Sequence, residues 1–172
     1  MGEKGTRRGS RSRSSTGSRP GVFKWHMEGV VADHPDGALI EHTEIFLEMA
    51  FRTDRQKTLA HPSGVGRNVG TCRDRIEIQV AIHGGIVREV AYQMDGCLHT
   101  NACANAVAAM VEGHTVAAAW NLKPEMVAAF LQSLPPDHFH CAELAVGAFY
   151  KALADYQQRG AQDWKAGYRV PD

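Results

Sequence analysis

Four cysteines, Cys72, Cys97, Cys103 and Cys141, carry the chemistry this sequence has to offer. A thiolate is both a soft metal ligand and a nucleophile, and no two of these stand at CxxC spacing. Each is therefore judged by its own neighbours. Cys97 follows Gly96 where an alternating pattern gives way to a helical one, in "DGCLHTNACANAV". There it precedes the unpaired N–H groups of a helix, a field that favours the thiolate. Cys141 follows Pro135-Pro136 in the first turn of the last helix, so the same field applies. His140 beside it adds a nitrogen ligand to the sulfur. Cys72 lies in "GTCRD", a glycine-led loop entering a strand, where alternation puts Asp74 on the same side. A thiol and a carboxylate together suit a cation better than a core. Cys103 falls instead on an apolar helical stripe with Val107 and Met110, where a thiol serves as a small hydrophobe. His99 and His138 are expected in exposed turns.

Cys72, Asp74, Cys97, His140 and Cys141 thus all stand at ends of elements, which a strand–helix domain can gather along one edge. Three thiolates with a nitrogen and an oxygen in reserve suit zinc or an iron–sulfur cluster. The elements that must bring them together are legible. "HPSGVGRNVGTC" gives a short edge strand. "DRIEIQVAI" alternates, with Ile76, Ile78, Val80 and Ile82 on one face, and "HGG" turns it into "IVREVAYQMD". Helices follow: one after Cys97 ending near Gly113, one capped by Thr115, one with Pro124 in its first turn, and a long one after the double proline. Cys141, Ala145, Phe149, Ala152 and Tyr156 share a face of that last helix. Upstream, "GALIEHTEIFLEMAFR" reads as one amphipathic helix preceded by an "HPDG" turn. Strands first and helices after mean an α+β fold, a small three-stranded antiparallel sheet with helices packed on one face.

The 172 residues suffice for one domain with a surplus. We expect a basic disordered tail at 1–20, a partly helical extension at 21–60, the main domain at 61–158 and a short tail at 159–172. The formal charge is zero overall, but the Arg/Ser-rich first 20 residues carry +5 and the remainder −5. Without interleaved aromatics, that basic segment is weak support for nucleic-acid binding. No apolar run is long enough to span a bilayer and no secretory signal core is visible, so a cytoplasmic protein without a membrane partner is expected.

"GVGRNVGTCRD", "DGCLHTNACANAVAAM" and "LPPDHFHCAELAVGAFYKALADY" resemble, in order and spacing, the NifU-like/IscU-like scaffold proteins of iron–sulfur cluster assembly. The likeness spans roughly residues 61–158. It implies a SufE/IscU-like fold and a non-enzymatic scaffold that holds iron and sulfide on three cysteines, aided by an aspartate and a histidine. Carried over, those positions are Cys72, Asp74, Cys97, His140 and Cys141. The implied cargo is a [2Fe–2S] cluster, with zinc able to take its place in the cluster-free form. The implied partners are a cysteine desulfurase as sulfur donor and recipient apo iron–sulfur proteins, and the resemblance leaves room for a homodimer. Two departures stand out: Arg73 replaces the usual glycine between cysteine and aspartate, and Asp137-His138 replaces the usual Val-Lys after "LPP".

Three other readings use the same residues. A permanent structural zinc site would need the whole ligand set. A SufE-like sulfur acceptor, or an enzyme with Cys97 or Cys141 as nucleophile and His140 as base, would need one thiol.

Overall fold

The computed structural model describes residues 30–33 and 39–166. The basic tail expected at 1–20, the "HPDG" turn and the last six residues lie outside the described residues.

The alternation of residues 76–82 builds the centre of the sheet. Strands β3 (Gly64–Val69), β4 (Arg75–His83) and β5 (Ile86–Asp95) pair antiparallel in that order, with Gly64 opposite Val80 and Arg75 opposite Asp95. Ile76, Ile78, Val80 and Ile82 are all buried, as their period of two requires. The β4–β5 connection runs through Gly84 and Gly85 at φ 60° and 73°, the paired positive values that a two-residue type I′ turn needs. An additional antiparallel pair, β1 (Val30–Asp33) and β2 (Leu39–His42), precedes the helices.

Among the described residues there are five α-helices, α1 (Glu44–Phe51) before the three-stranded sheet and α2 (Leu98–Val111), α3 (Val116–Ala119), α4 (Pro124–Leu131) and α5 (Phe139–Ala166) after it. The fold is α+β, as the order of patterns indicates. Thr115 caps α3 by accepting from the Ala118 N–H, and Pro124 opens α4. After the double proline the chain first makes a 3-10 turn, Pro136–His138, and then enters α5. The stripe of Cys141, Ala145, Phe149 and Ala152 is buried against the sheet, with Tyr156 at its margin. α5 crosses β3 almost backbone to backbone. A Cβ on Gly66 would stand 2.1 Å from the Ala148 carbonyl oxygen, and one on Gly64 as close to that of Ala152.

The single helix expected over "GALIEHTEIFLEMAFR" is instead a strand and a helix divided at Thr43. Thr43 is in extended backbone, its hydroxyl accepts from the Phe46 N–H and donates to the Leu131 carbonyl at 2.9 Å, and its own N–H donates to Ser133 Oγ at 2.9 Å. A side chain so fully used as an N-cap fixes the start of the helix there. At the other end, Asn101 and Asn105 of α2 donate to the carbonyls of Met49, Ala50 and Arg52, so α1 is closed by its neighbour's side chains. Below them Tyr92, wholly buried, donates to Asn101 Oδ1 at 2.6 Å.

Candidate metal centre

The thiols of Cys97 and Cys141 meet where α2 and α5 begin. Cys97 is the N-cap residue of α2, in extended backbone, but its side chain makes no capping bond and is left for other partners. Cys141 is in the first turn of α5 and fully buried. Their sulfurs are 3.8 Å apart. A tetrahedral ion with metal–sulfur bonds of about 2.3 Å separates two sulfur corners by about 3.8 Å. The pair is therefore spaced for a shared thiophilic ion.

A ring nitrogen of His138 completes a compact group. Among the described residues, the ligand atoms of Cys97, His138 and Cys141 all lie within 4.8 Å of one another. His138 Nδ1 is buried and has no hydrogen-bond partner. Its ring stacks on that of His99, with centroids 3.6 Å apart and planes 12° from parallel. His99 in turn leans on Phe46 and His42, giving an imidazole-rich wall beside the thiols.

His138, expected in an exposed turn, is instead half-buried in the 3-10 turn beside the two thiols. The signal in the sequence was its spacing: His138 and Cys141 are three residues apart where the helix begins, which stacks them on one face. His140 has a different setting. The Asp137 carbonyl can only accept, so His140 Nδ1 donates to it at 2.9 Å. The lone pair of neutral His140 then belongs to Nε2, 3.5 Å from Cys141 Sγ.

Asp74 and Cys72 part company. Residues 70–74 form a tight turn, with the Gly70 N–H donating to the Asp74 carbonyl and Arg73 at φ 68°. Strand alternation therefore does not hold across them, and that expectation is corrected. Asp74 Oδ2 accepts from the Cys97 N–H at 3.0 Å and from Thr100 Oγ1 at 2.6 Å, clamping the start of α2. Gly96 permits this, since a Cβ there would stand 2.7 Å from Asp74 Oδ2. Cys72 is exposed on the turn and, like Asp74 and His140, falls outside the 4.8 Å group. A hollow of about 180 Å³ lies alongside, lined by Asn68 and Val69 at the end of β3, Gly70 and Thr71 of the turn, and His140, Glu143 and Leu144.

The two close thiols act on each other's ionisation in opposite directions. The neighbouring Cys141 thiol holds Cys97 far below the ordinary thiol range, against the effect of burial, with His99 and Thr100 adding to the fall. The Cys97 sulfur and burial both push Cys141 upward. The direction expected at Cys97 holds, although its neighbour matters more than the helix field. At Cys141 the direction is the reverse of the one expected from its helix-start position, because the group is buried beside a sulfur already charged. Burial also raises Cys103, which is wholly inside the core. The two thiols are thus pushed in opposite directions, Cys97 toward the thiolate and Cys141 toward the protonated form.

Comparisons with known proteins agree with this architecture. Residues 45–163 match the NifU-like N-terminal domain. The chain is 30% identical over 142 residues to the mitochondrial iron sulfur cluster assembly protein 1 of Debaryomyces hansenii, covering 70% of this chain and 78% of that one. It is 27% identical over 112 residues to the iron-sulfur cluster assembly scaffold protein IscU 1 of Archaeoglobus fulgidus, covering 59% and 73%. Among solved structures, a NifU-like N-terminal protein of Brucella abortus superimposes with a TM-score of 0.55 at 18% identity, over 67% of this chain and 94% of that one. A SUF-system scaffold protein of Fervidobacterium islandicum gives 0.55 at 14% identity, over 64% and 94%. These two likenesses show a shared fold. With its match across residues 45–163, this chain belongs to the NifU-like N-terminal domain family.

Proposed function

We propose that this protein is a scaffold on which iron–sulfur clusters are assembled and from which they are passed on, binding rather than transforming its cargo. The observation that carries the reading is the pair of sulfurs 3.8 Å apart at two helix starts, within reach of an imidazole, in a chain of this family. Cys72, Cys97 and Cys141 are the proposed cluster ligands. Asp74 and His140 are proposed as weaker, exchangeable ones. Mixed ligation of this kind lets a cargo be held and also surrendered, since thiolates grip soft iron and an oxygen or nitrogen is more readily displaced. Cys72, exposed on its turn, is proposed as the third sulfur for a cargo seated on the other two.

The proposed cargo is [2Fe–2S], with zinc in the cluster-free form, and the proposed setting is the cytoplasm. Among the described residues no helix is long and apolar enough to cross a membrane. The proposed sulfur donor is a cysteine desulfurase carrying a persulfide. The Cys97 thiolate attacks the outer sulfur, a new S–S bond forms on Cys97, and the donor's cysteine leaves as a thiolate. An external two-electron reductant, a dithiol or an electron-donor protein, frees the outer sulfur as sulfide for the cluster, which recipient apo proteins then take.

Anaerobic reconstitution with iron and sulfide, followed by absorption spectra and metal analysis, tests this reading. Wild type should develop a cluster chromophore. Cys72→Ser, Cys97→Ser and Cys141→Ser should each lose most of it, and Cys103→Ala should not. No chromophore under any condition, with only tightly held zinc, would replace the scaffold by a permanent zinc site. A requirement for just one thiol would point to a sulfur acceptor.

A further inference from the structure

We infer that the first metal ion binds on Cys97, Cys141 and His138, a mononuclear two-sulfur, one-nitrogen site that forms before Cys72, Asp74 or His140 is engaged. The inference rests on the proposed function only in taking the Cys97–Cys141 pair as metal-binding. Three observations carry it. Their ligand atoms already lie within 4.8 Å of one another, a closeness that Cys72, Asp74 and His140 do not share. His138 Nδ1 is buried without a hydrogen-bond partner, whereas both nitrogens of His140 have neighbours, the Asp137 carbonyl and Cys141 Sγ. The His138 ring is also held in place by its stack on His99. A fixed ring with one nitrogen in reach of two thiols and a buried Nδ1 left without a partner marks His138 as the ligand for a cation.

The chemistry of the set says which cation. Two sulfurs and an imidazole suit Fe²⁺, Zn²⁺ or Co²⁺ and disfavour the hard ions Mg²⁺ and Ca²⁺. Three protein ligands leave a tetrahedral ion one open position, the feature that separates a working site from a closed structural one. Asp74, meanwhile, is occupied in clamping the Cys97 N–H and Thr100, so it need not be displaced for the first ion to bind.

Co²⁺ is the suitable probe, because its sulfur charge-transfer and d–d bands report ligand type and geometry. Anaerobic titration of the full chain should give one tetrahedral Co²⁺, and X-ray absorption should show two sulfurs and an imidazole. His138→Phe preserves a ring to stack on His99 but removes the nitrogen, and His138→Gln is a second route to the same loss. In either, the imidazole signature should disappear and Co²⁺ affinity should fall at least about tenfold, as weakening even an outer-shell partner of a metal site can do. His140→Ala and Cys72→Ser should bind Co²⁺ as wild type does.

Wild-type affinity in His138→Phe, loss of binding in His140→Ala or Cys72→Ser, or a wild-type spectrum without imidazole would each overturn the assignment. Reconstitution with iron and sulfide, run alongside, separates the two ideas. A protein that builds its cluster while ignoring the His138 substitutions sinks this inference alone. One that takes up neither Co²⁺ nor a cluster sinks the scaffold reading with it.

Discussion

Asp74 has two relations to the site, and they predict two separable effects. Its carboxylate accepts from the Cys97 N–H and from the Thr100 hydroxyl, so it fixes the residue that carries a thiolate. Removing a side chain that satisfies a helix-start N–H costs about 1–2 kcal/mol. Asp74→Ala should therefore lower unfolding stability by roughly that amount in urea titrations. Asp74→Asn, which keeps an acceptor oxygen, should recover part of it. Under the proposed function, the same Asp74→Ala protein, once loaded, should keep its cluster longer, because the proposed exchangeable oxygen is gone. Faster decay of the chromophore would remove Asp74 from the release step and leave it a purely structural clamp.

At the scale of elements, the approach of α5 to β3 sets the sharpest test. Gly66→Ala would drive a Cβ to 2.1 Å from the Ala148 carbonyl oxygen, and backbone atoms of α5 cannot step aside as a flexible side chain can. Overpacking of this sort costs about 1–3 kcal/mol. A denaturation midpoint unchanged from wild type would mean that the strand and helix are not in such contact. The elements were largely legible in the sequence, and for local reasons. Ile76, Ile78, Val80 and Ile82 announce their strand by alternation, Gly84-Gly85 announces the hairpin, and Thr115 and Pro124 mark helix starts. What stayed hidden depends on distant partners. Thr43 divides strand from helix because Leu131 and Ser133, far along the chain, both accept its hydrogen bonds. The site divides the same way. Cys97 and Cys141 were readable from their places at element ends, and Cys103 from its apolar stripe. The direction at Cys141 was not readable, since it follows from a sulfur brought close only by the fold.

For the whole molecule, Tyr92 ties stability to pH. It is fully buried, and burial raises its ionisation to about 12, while its hydroxyl donates to Asn101. An unfolded chain releases that proton near pH 10. Between the two values the unfolded state holds fewer protons than the native one, so stability falls as pH rises, by ~2–3 kcal/mol at about pH 12. Urea unfolding followed from about pH 9 to about pH 11.5 should show this decline. Tyr92→Phe, less stable at neutral pH for want of the Asn101 bond, should show a shallower one. Equal slopes in the two proteins would assign the alkaline loss to other groups.

Asn101 and Asn105 have one more consequence. They belong to the helix whose first residue follows Cys97, yet their amides hold the last carbonyls of α1. Phe46 of α1 also leans on His99 beside the thiols. α2 is in effect a crank, with a sulfur at one end and the N-terminal helix gripped along its side. Residues 44–51 and the thiol-bearing start of α2 are thus joined as one packed lever, through Asn101, Asn105 and the Phe46–His99 contact.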